Sequence, residues 1–252
     1  MGHSFEFLDH PGPLAFAHRG GAGDWPENTM PAFQGAVRMG YRYVETDVHV
    51  TGDGVLLAFH DDTLDRATDR VGLIRDLPWR EVRRARVHGQ EPIPLLEDLL
   101  GTWPDLRVNI DPKHDSAVEP LVSAVKRTGA TSRVCVGSFS DRRLRRIRRL
   151  LGRALCTSLG PIGTARVRAA GLGAPAGRFP AGCVQVPKAF KGVTVVDERF
   201  VAAAHARDLQ VHVWTIDDPQ TMSELLDLGV DGIMTDRPAV LKELLQRRGE
   251  WH

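Results

Sequence analysis

Residues 43–50 read Tyr-Val-Glu-Thr-Asp-Val-His-Val, and their alternation sets the question for the whole chain. Val44, Thr46, Val48 and Val50 make one strand face suited to burial, while Glu45, Asp47 and His49 fall on the other. Two carboxylates side by side repel, and burying either is costly unless it is paired or bound. Something on the acidic side must tolerate them.

Working outward, short apolar runs alternate with helical patterns from end to end. The runs Leu14–His18, Tyr43–His49, Leu106–Asp111, Val134–Phe139, Ala154–Leu159, Cys183–Val186, Val211–Ile216 and Gly232–Thr235 read as strands. Helical patterns cover Met30–Met39, Pro94–Leu100, Ser116–Thr128, Asp141–Leu151, Ile162–Ala170, Asp197–Arg207, Pro219–Leu228 and Ala239–Arg247. Eight strand-then-helix units predict an α/β protein of the TIM (β/α)8 barrel class, since eight such units close a barrel. An open doubly wound sheet is the alternative, but no GxGxxG follows the first strand to support dinucleotide binding. The length of 252 residues suits one barrel domain spanning 1–252. An insertion at about 53–92 breaks the rhythm with the run VLLAFH, a polar loop and the short helix WREVRRA. Insertions after barrel strands usually shape an active site.

Hydrophobic content of 42%, charged content of 26% and a net charge of +1 are ordinary for a soluble domain and give no global attraction to nucleic acid or acidic membranes. The N-terminal stretch has no basic region followed by a long apolar run, and no segment reaches the roughly 18 apolar residues of a membrane span. Gly2 follows Met1, yet Glu6 stands where a myristoylation pattern needs Ser or Thr. Cys135, Cys156 and Cys183 are far apart and lack CxxC spacing, so free thiols in a reducing compartment are expected rather than a disulfide or zinc site. These features point to a cytoplasmic protein without stable membrane insertion, and they leave its oligomeric state open. The run DRRLRRIRRL holds six arginines, with Leu144, Ile147 and Leu151 at helical spacing, and predicts an amphipathic helix with a solvated basic face.

Chemistry concentrates where barrel strands end. The first ends in His18-Arg19-Gly20-Gly21, the second carries Glu45 and Asp47, and the third places Asp111 and Lys113 at period two. The insertion adds His60-Asp61-Asp62. Residues two apart lie about 6.6 Å apart along one strand face, so their side chains can converge on one ion. Three carboxylates on neighbouring strands suit a hard cation such as Mg²⁺, Ca²⁺ or Mn²⁺; an ion network with Arg19 and Lys113 reads the same spacing equally well. His49 shares the acidic parity but is read as lying past the strand end. His18 and His60, beside an acidic cluster and two cations, suggest proton transfer at an anionic substrate, with Arg19 and Lys113 on phosphate oxygens.

At these residues the chain resembles the glycerophosphodiester phosphodiesterase family. The stretches that carry the resemblance are AHRGGAGDWPENTMPAF, YVETDVHVTGDGVLLAFHDDTLDRAT, IPLLEDLL, VNIDPK, GSFS and VHVWTIDDPQTMSELLDLGVDGIMTDRP, in the family's order, with the weakest match between about 150 and 191. The resemblance implies a TIM barrel that hydrolyses glycerophosphodiesters to sn-glycerol 3-phosphate and an alcohol with one divalent cation. It implies His18 and His60 as the general acid/base pair, Arg19 and Lys113 near the phosphate, and Glu45, Asp47 and Asp111 on the metal. Trp214 would pack against the glycerol, or else fill the barrel. Asn28 of PENT is expected to cap the next helix, beside Glu27 at the mouth of the first loop.

There are two departures. Asp111 stands where the family usually has Glu, one methylene longer, and Asp217 stands where it usually has Asn, adding a negative charge near the mouth. A lysophospholipase D-like or phospholipase C-like enzyme acting on a lipid is the alternative within enzymes, and would call for an apolar rim. A silent phosphate-binding barrel is the alternative outside them, disfavoured because His18, His60, Glu45 and Asp47 are all present.

Overall fold

The acidic strand lines the inside of a barrel. The computed structural model describes residues 5–252, so the reading of Gly2 lies outside the described residues. Strands β1 (Leu14–Ala17), β2 (Tyr43–Val50), β3 (Arg107–Pro112), β4 (Val134–Val136), β5 (Cys156–Thr157), β6 (Cys183–Pro187), β7 (Gln210–Trp214) and β8 (Gly232–Thr235) run parallel in the order β5-β4-β3-β2-β1-β8-β7-β6. Ser158 bridges in parallel to Cys183 across the remaining gap, where Leu159 N–H donates to the Cys183 carbonyl at 2.9 Å. The ring is thus nearly closed, as the eight-unit rhythm predicts.

Each strand is followed by a helix: α1 (Met30–Arg38), α2 (Leu96–Thr102), α3 (Val118–Arg127), α4 (Asp141–Leu151), α5 (Pro161–Gly171), α6 (Glu198–His205), α7 (Pro219–Asp227) and α8 (Pro238–Arg248). Their starts follow from local chemistry. Ser140, Asp197 and Asp218 accept a backbone N–H at the first turns of α4, α6 and α7, and proline opens α1, α5, α7 and α8. The cap of α1 is Thr29, which accepts from Ala32 N–H at 3.3 Å, and not Asn28. Asn28 is in the left-handed region at φ 54°, and its Oδ1 instead accepts from the Thr46 hydroxyl at 2.7 Å.

Period two sorts the strand residues into two cores. Val44, Val48, Val108, Ile110, Val184 and Ile233 face outward and pack with helix residues such as Phe33, Leu121 and Phe200. Leu14, Phe16, Tyr43 and Met234 face inward and, with Phe7 and Leu8 from the N-terminal turn, fill the lower lumen. Burying each large apolar side chain stabilises by about 1.5–3 kcal/mol. The three cysteines, distant in sequence, join this plug with their Sγ atoms within 4.8 Å of one another, because β4, β5 and β6 are neighbours. On α4 the basic face is less free than its spacing suggests. Arg143 donates to the Pro112 carbonyl and pairs with Asp115, Arg146 pairs with Glu119, and Arg148 donates to Thr157.

Between β2 and α2 the strand Leu56–Ala58 pairs antiparallel with β2, setting His49 opposite Leu57. His49 therefore lies within β2, which runs on to Val50 because this added strand supplies partners beyond the parallel ladder. The segment has its own small core, including Leu57, Phe59, Leu64, Ile74 and Val82.

Candidate active site

Two residues above the apolar plug, the same inward positions turn charged. His18 follows Phe16, Glu45 and Asp47 follow Tyr43, Asp236 follows Met234, and Asp111 sits in register beside Asp47. At the end of β1 the chain turns sharply through Arg19 at φ 50° and Gly20 at φ 83°; a Cβ on Gly20 would come within 2.8 Å of Ala32 Cβ. Arginine in that region is strained by about 1–3 kcal/mol, and the turn aims its backbone N–H at Glu45 Oε2, 3.2 Å away.

Asp47 is the hub. Lys113 Nζ lies 2.6 Å from its Oδ1 and donates to Asp111 Oδ2 at 2.9 Å, while Arg19 Nε lies 3.3 Å from its Oδ2. Burial alone would raise the Asp47 pKa, but Lys113 and Arg19 outweigh it and hold the carboxyl low. Asp111 goes the other way: burial lifts it despite Lys113. Glu45, fully enclosed beside Asp47, is pushed up to about 7 by burial and by that neighbouring carboxylate.

Each predicted histidine rests on a carboxylate. His18 Nδ1 is 2.6 Å from Asp236 Oδ1, and its Nε2 lies 3.6 Å from Glu45 Oε2. Burial works against charging this ring, yet Glu45 and Asp236 raise its pKa above the ordinary value. His60 Nδ1 is 2.5 Å from Asp61 Oδ1. Arg66 then grips both Asp61 at 2.5 Å and Glu27 at 2.7 Å, and Glu27 accepts from Arg19 Nη1 at 3.1 Å. One chain of charged contacts therefore runs from His60 through Asp61, Arg66, Glu27 and Arg19 to Asp47.

The fold thus joins His18, Arg19, Glu45, Asp47, His60, Asp111 and Lys113. Trp214, half-buried at the end of β7, packs against the lumen core, and its ring meets Phe139 edge-on at 5.9 Å. Sequence reasoning missed Asp236 and Arg66, and assigned no role to Asp61 as the partner of His60 or to Glu27 as a bridge. Asp236 had a readable signal, since it shares parity with Gly232 and Met234 at the end of β8. Asp217 does not hang free at the mouth; its Oδ1 accepts from the Thr235 hydroxyl and from Asp236 N–H, both at 2.8 Å, and so fixes the His18 partner.

The donors fit a hard divalent cation in kind: they are oxygen only, Asp47 Oδ2 is a buried acceptor met by Arg19 Nε alone, at 3.3 Å and outside hydrogen-bond geometry, and Glu45 carries a pKa pushed up to about 7 by burial and Asp47. They are not drawn together tightly. Among the described residues, ligand atoms within 4.8 Å of one another occur in the cysteine trio and in His49, Asp62 and His114, and not in Glu45, Asp47 and Asp111. Lys113 holds Asp47 and Asp111 by separate bonds, and Asp111 has the shorter reach. Chemically, the arrangement offers two carboxylate-aligned imidazoles, two cations and an acid cluster at one lumen mouth.

The sequence profile of the "Glycerophosphoryl diester phosphodiesterase family" matches residues 18–240. A curated relative from Mycobacterium tuberculosis, named "Probable glycerophosphodiester phosphodiesterase 2", is 45% identical and covers 98% of this chain and 96% of its own. A solved structure from Silicibacter pomeroyi shares the fold with a TM-score of 0.83 at 24% identity over the whole of both chains. A phosphodiesterase from Oleispira antarctica, solved in complex with the product sn-glycerol-3-phosphate, has a TM-score of 0.77 at 23% identity, covering 93% of this chain and 97% of its own.

Proposed function

Since the chain belongs to the glycerophosphoryl diester phosphodiesterase family, we propose that it hydrolyses glycerophosphodiesters to sn-glycerol 3-phosphate and an alcohol by histidine acid/base catalysis. The observation that carries this reading is the gathering of two carboxylate-backed imidazoles, His18 on Asp236 and His60 on Asp61, with the cations Arg19 and Lys113 and the acid Asp47 in one set of contacts. Paired proton-transfer groups next to fixed cations suit an anionic phosphodiester.

In this reading one histidine takes a proton from the attacking hydroxyl while the other gives a proton to the leaving alcohol oxygen. The nucleophile is the neighbouring glycerol hydroxyl, giving a cyclic phosphate that water then opens. Asp236 and Asp61 orient the two rings. Arg19 and Lys113 face the phosphate oxygens and stabilise charge as it develops there. Glu45, Asp47 and Asp111 would hold one divalent cation, Mg²⁺ or Ca²⁺ with Mn²⁺ as a further candidate, and that ion supplies Lewis-acid charge to the phosphoryl group when bound. We read 1–252 as one barrel domain whose insertion at about 53–92 walls the site. No helix among the described residues is long and apolar enough to cross a membrane, and the free thiols fit a cytoplasmic setting.

The test is release of glycerol 3-phosphate and choline from glycerophosphocholine, with EDTA or with Mg²⁺, Ca²⁺ or Mn²⁺. Metal-stimulated turnover is expected. Full activity in EDTA would overturn the metal assignment, and no turnover of any diester would favour a silent barrel.

One observation favours a lipid diester as a second reading. Phe139, Ile162, Phe190 and Val193 follow the C-terminal ends of β4, β5 and β6, and are 69, 66, 59 and 66% exposed. Such a rim suits an acyl chain. If it binds one, lysophosphatidylcholine will be cleaved in preference to glycerophosphocholine, and Phe139→Ala will raise KM roughly three- to tenfold for the lipid alone.

A further inference from the structure

We infer that His49, Asp62 and His114 form a second cation site, for a borderline divalent ion of the Zn²⁺ class, beside the hydrolytic centre and separate from its acids. The three come from different elements: His49 from the end of β2, Asp62 from the insertion, and His114 from just beyond β3. One ligand atom from each lies within 4.8 Å of the others. His49 Nδ1 is 3.7 Å and His114 Nε2 is 2.7 Å from Asp62 Oδ1.

The protonation pattern makes this a ligand set. His49 Nε2 lies 2.9 Å from the His60 carbonyl, which only accepts, so Nε2 carries the hydrogen and Nδ1 presents a lone pair. That lone pair lies 3.7 Å from Asp62 Oδ1, the same oxygen that pairs with His114 Nε2 at 2.7 Å through a single shared proton; a cation among the three would take that proton's place. A metal-bound histidine that donates its other N–H to a backbone carbonyl is the usual way such a ring is oriented. Ligands at about 2.0–2.2 Å from one tetrahedral ion stand about 3.4 Å apart. The His49–Asp62 spacing is close to this, and His114 must draw back by several tenths of an ångström. Its side chain is 44% exposed and that of Asp62 60%, so both are free to adjust.

A cleft of about 280 Å³, lined by these three with Arg75, Asp115 and Ser116, provides entry and room for water to complete the coordination. Two imidazoles and one carboxylate select a late first-row ion over the hard cation suited to an all-oxygen set. The site's effect is positional. It fastens the loop carrying His60 to β2 and β3, with Asp62 two residues along and the His60 carbonyl on His49.

Cobalt(II), added to the chelator-stripped full-length chain, reads the site without relying on activity. A visible d–d spectrum typical of nitrogen and oxygen ligands is expected in the wild type and in Glu45→Ala, with Zn²⁺ displacing the cobalt. His114→Ala and Asp62→Asn, both at exposed positions and checked for native circular dichroism, should each weaken binding at least about tenfold. No such spectrum in the wild type, or one unchanged in both variants, would overturn the proposal. So would a spectrum dominated by thiolate-to-cobalt charge transfer, which would move the ion to the cysteine trio. Persistence of the spectrum in Glu45→Ala keeps this outcome apart from any failure of the hydrolytic reading.

Discussion

His18 and His60 each set Nδ1 against a carboxylate, at 2.6 Å from Asp236 and 2.5 Å from Asp61, yet the two pairs are held in different ways. The partner of His18 lies 218 residues away and arrives only because β1 and β8 close the barrel, with Ala17 in register with Thr235. Its side chain is 14% exposed, and Glu45 backs its other nitrogen. His60 takes its partner from the next residue in the chain, is 33% exposed, and depends on Arg66 and Glu27 to tie its loop to the barrel. One pair is pinned by a closed sheet and the other by a strap. On the proposed reading, a site built this way keeps one proton-transfer group fixed while the other is carried on a loop.

The largest expected effect tests whether both pairs serve the chemistry. His18→Ala and His60→Ala should each lower kcat on glycerophosphocholine by about 10²- to 10⁴-fold, the range for losing a positioned acid or base. A single turnover-silent variant, with the other near wild type, would break the symmetry of roles and leave one histidine as structure. Asp236→Asn and Asp61→Asn should fall short of the corresponding alanine variants, since each leaves its imidazole in place.

How much of this was legible in the sequence follows from the physics of each pair. The barrel was readable because eight strand runs and eight helical patterns are local signals, and the strand faces obey period two. Glu45 and Asp47 stood out because two acids on one strand face need an explanation. The boundary at His49 was misjudged because its pairing comes from Leu56–Ala58, a strand added out of the parallel order. Asp236 was visible by parity alone; its pairing with His18 depends on ring closure, which no local pattern records. Arg66 was invisible for a different cause: it sits in a polar loop with no periodicity, and only the folded insertion brings it to Glu27. The cysteines make the same point, distant in spacing and adjacent once β4, β5 and β6 align.

A second test acts on the closed-sheet pair through stability. Glu45 ionises at about 7 in the folded chain against 4.5 when unfolded, so the folded state holds a proton that the unfolded state has lost between those values. Stability therefore declines as pH rises through that window and is flat above it. His18 acts in the same direction. Its folded pKa is raised, so its contribution is full below 6.5 and fades as pH climbs through the folded value. In chelator, the urea midpoint of the wild type should fall between pH 5 and pH 8, with Glu45 accounting for about 3 kcal/mol at most. Glu45→Gln should flatten most of that slope, and a bound divalent cation should flatten it in the wild type. A midpoint that rises with pH would sink the assignment of Glu45 as the group that burial keeps protonated.

The smallest effect sharpens the other half of the comparison. Arg66 is half exposed and its contacts are screened, so its removal should leave the thermal midpoint nearly unchanged. Its work is geometric: Nε and Nη2 fork onto Asp61 while Nη1 and Nη2 fork onto Glu27. Losing that clamp should lower kcat/KM about tenfold through misplacement of His60. Arg66→Lys should not restore it, because an ammonium cannot make two forks in fixed planes. In a His60→Ala background the further loss from Arg66→Ala should vanish, since the two residues act through one imidazole. If Arg66→Ala instead costs as much in that background as alone, the strap serves Glu27 and Arg19 on the barrel side, and His60 is positioned by Asp61 without it.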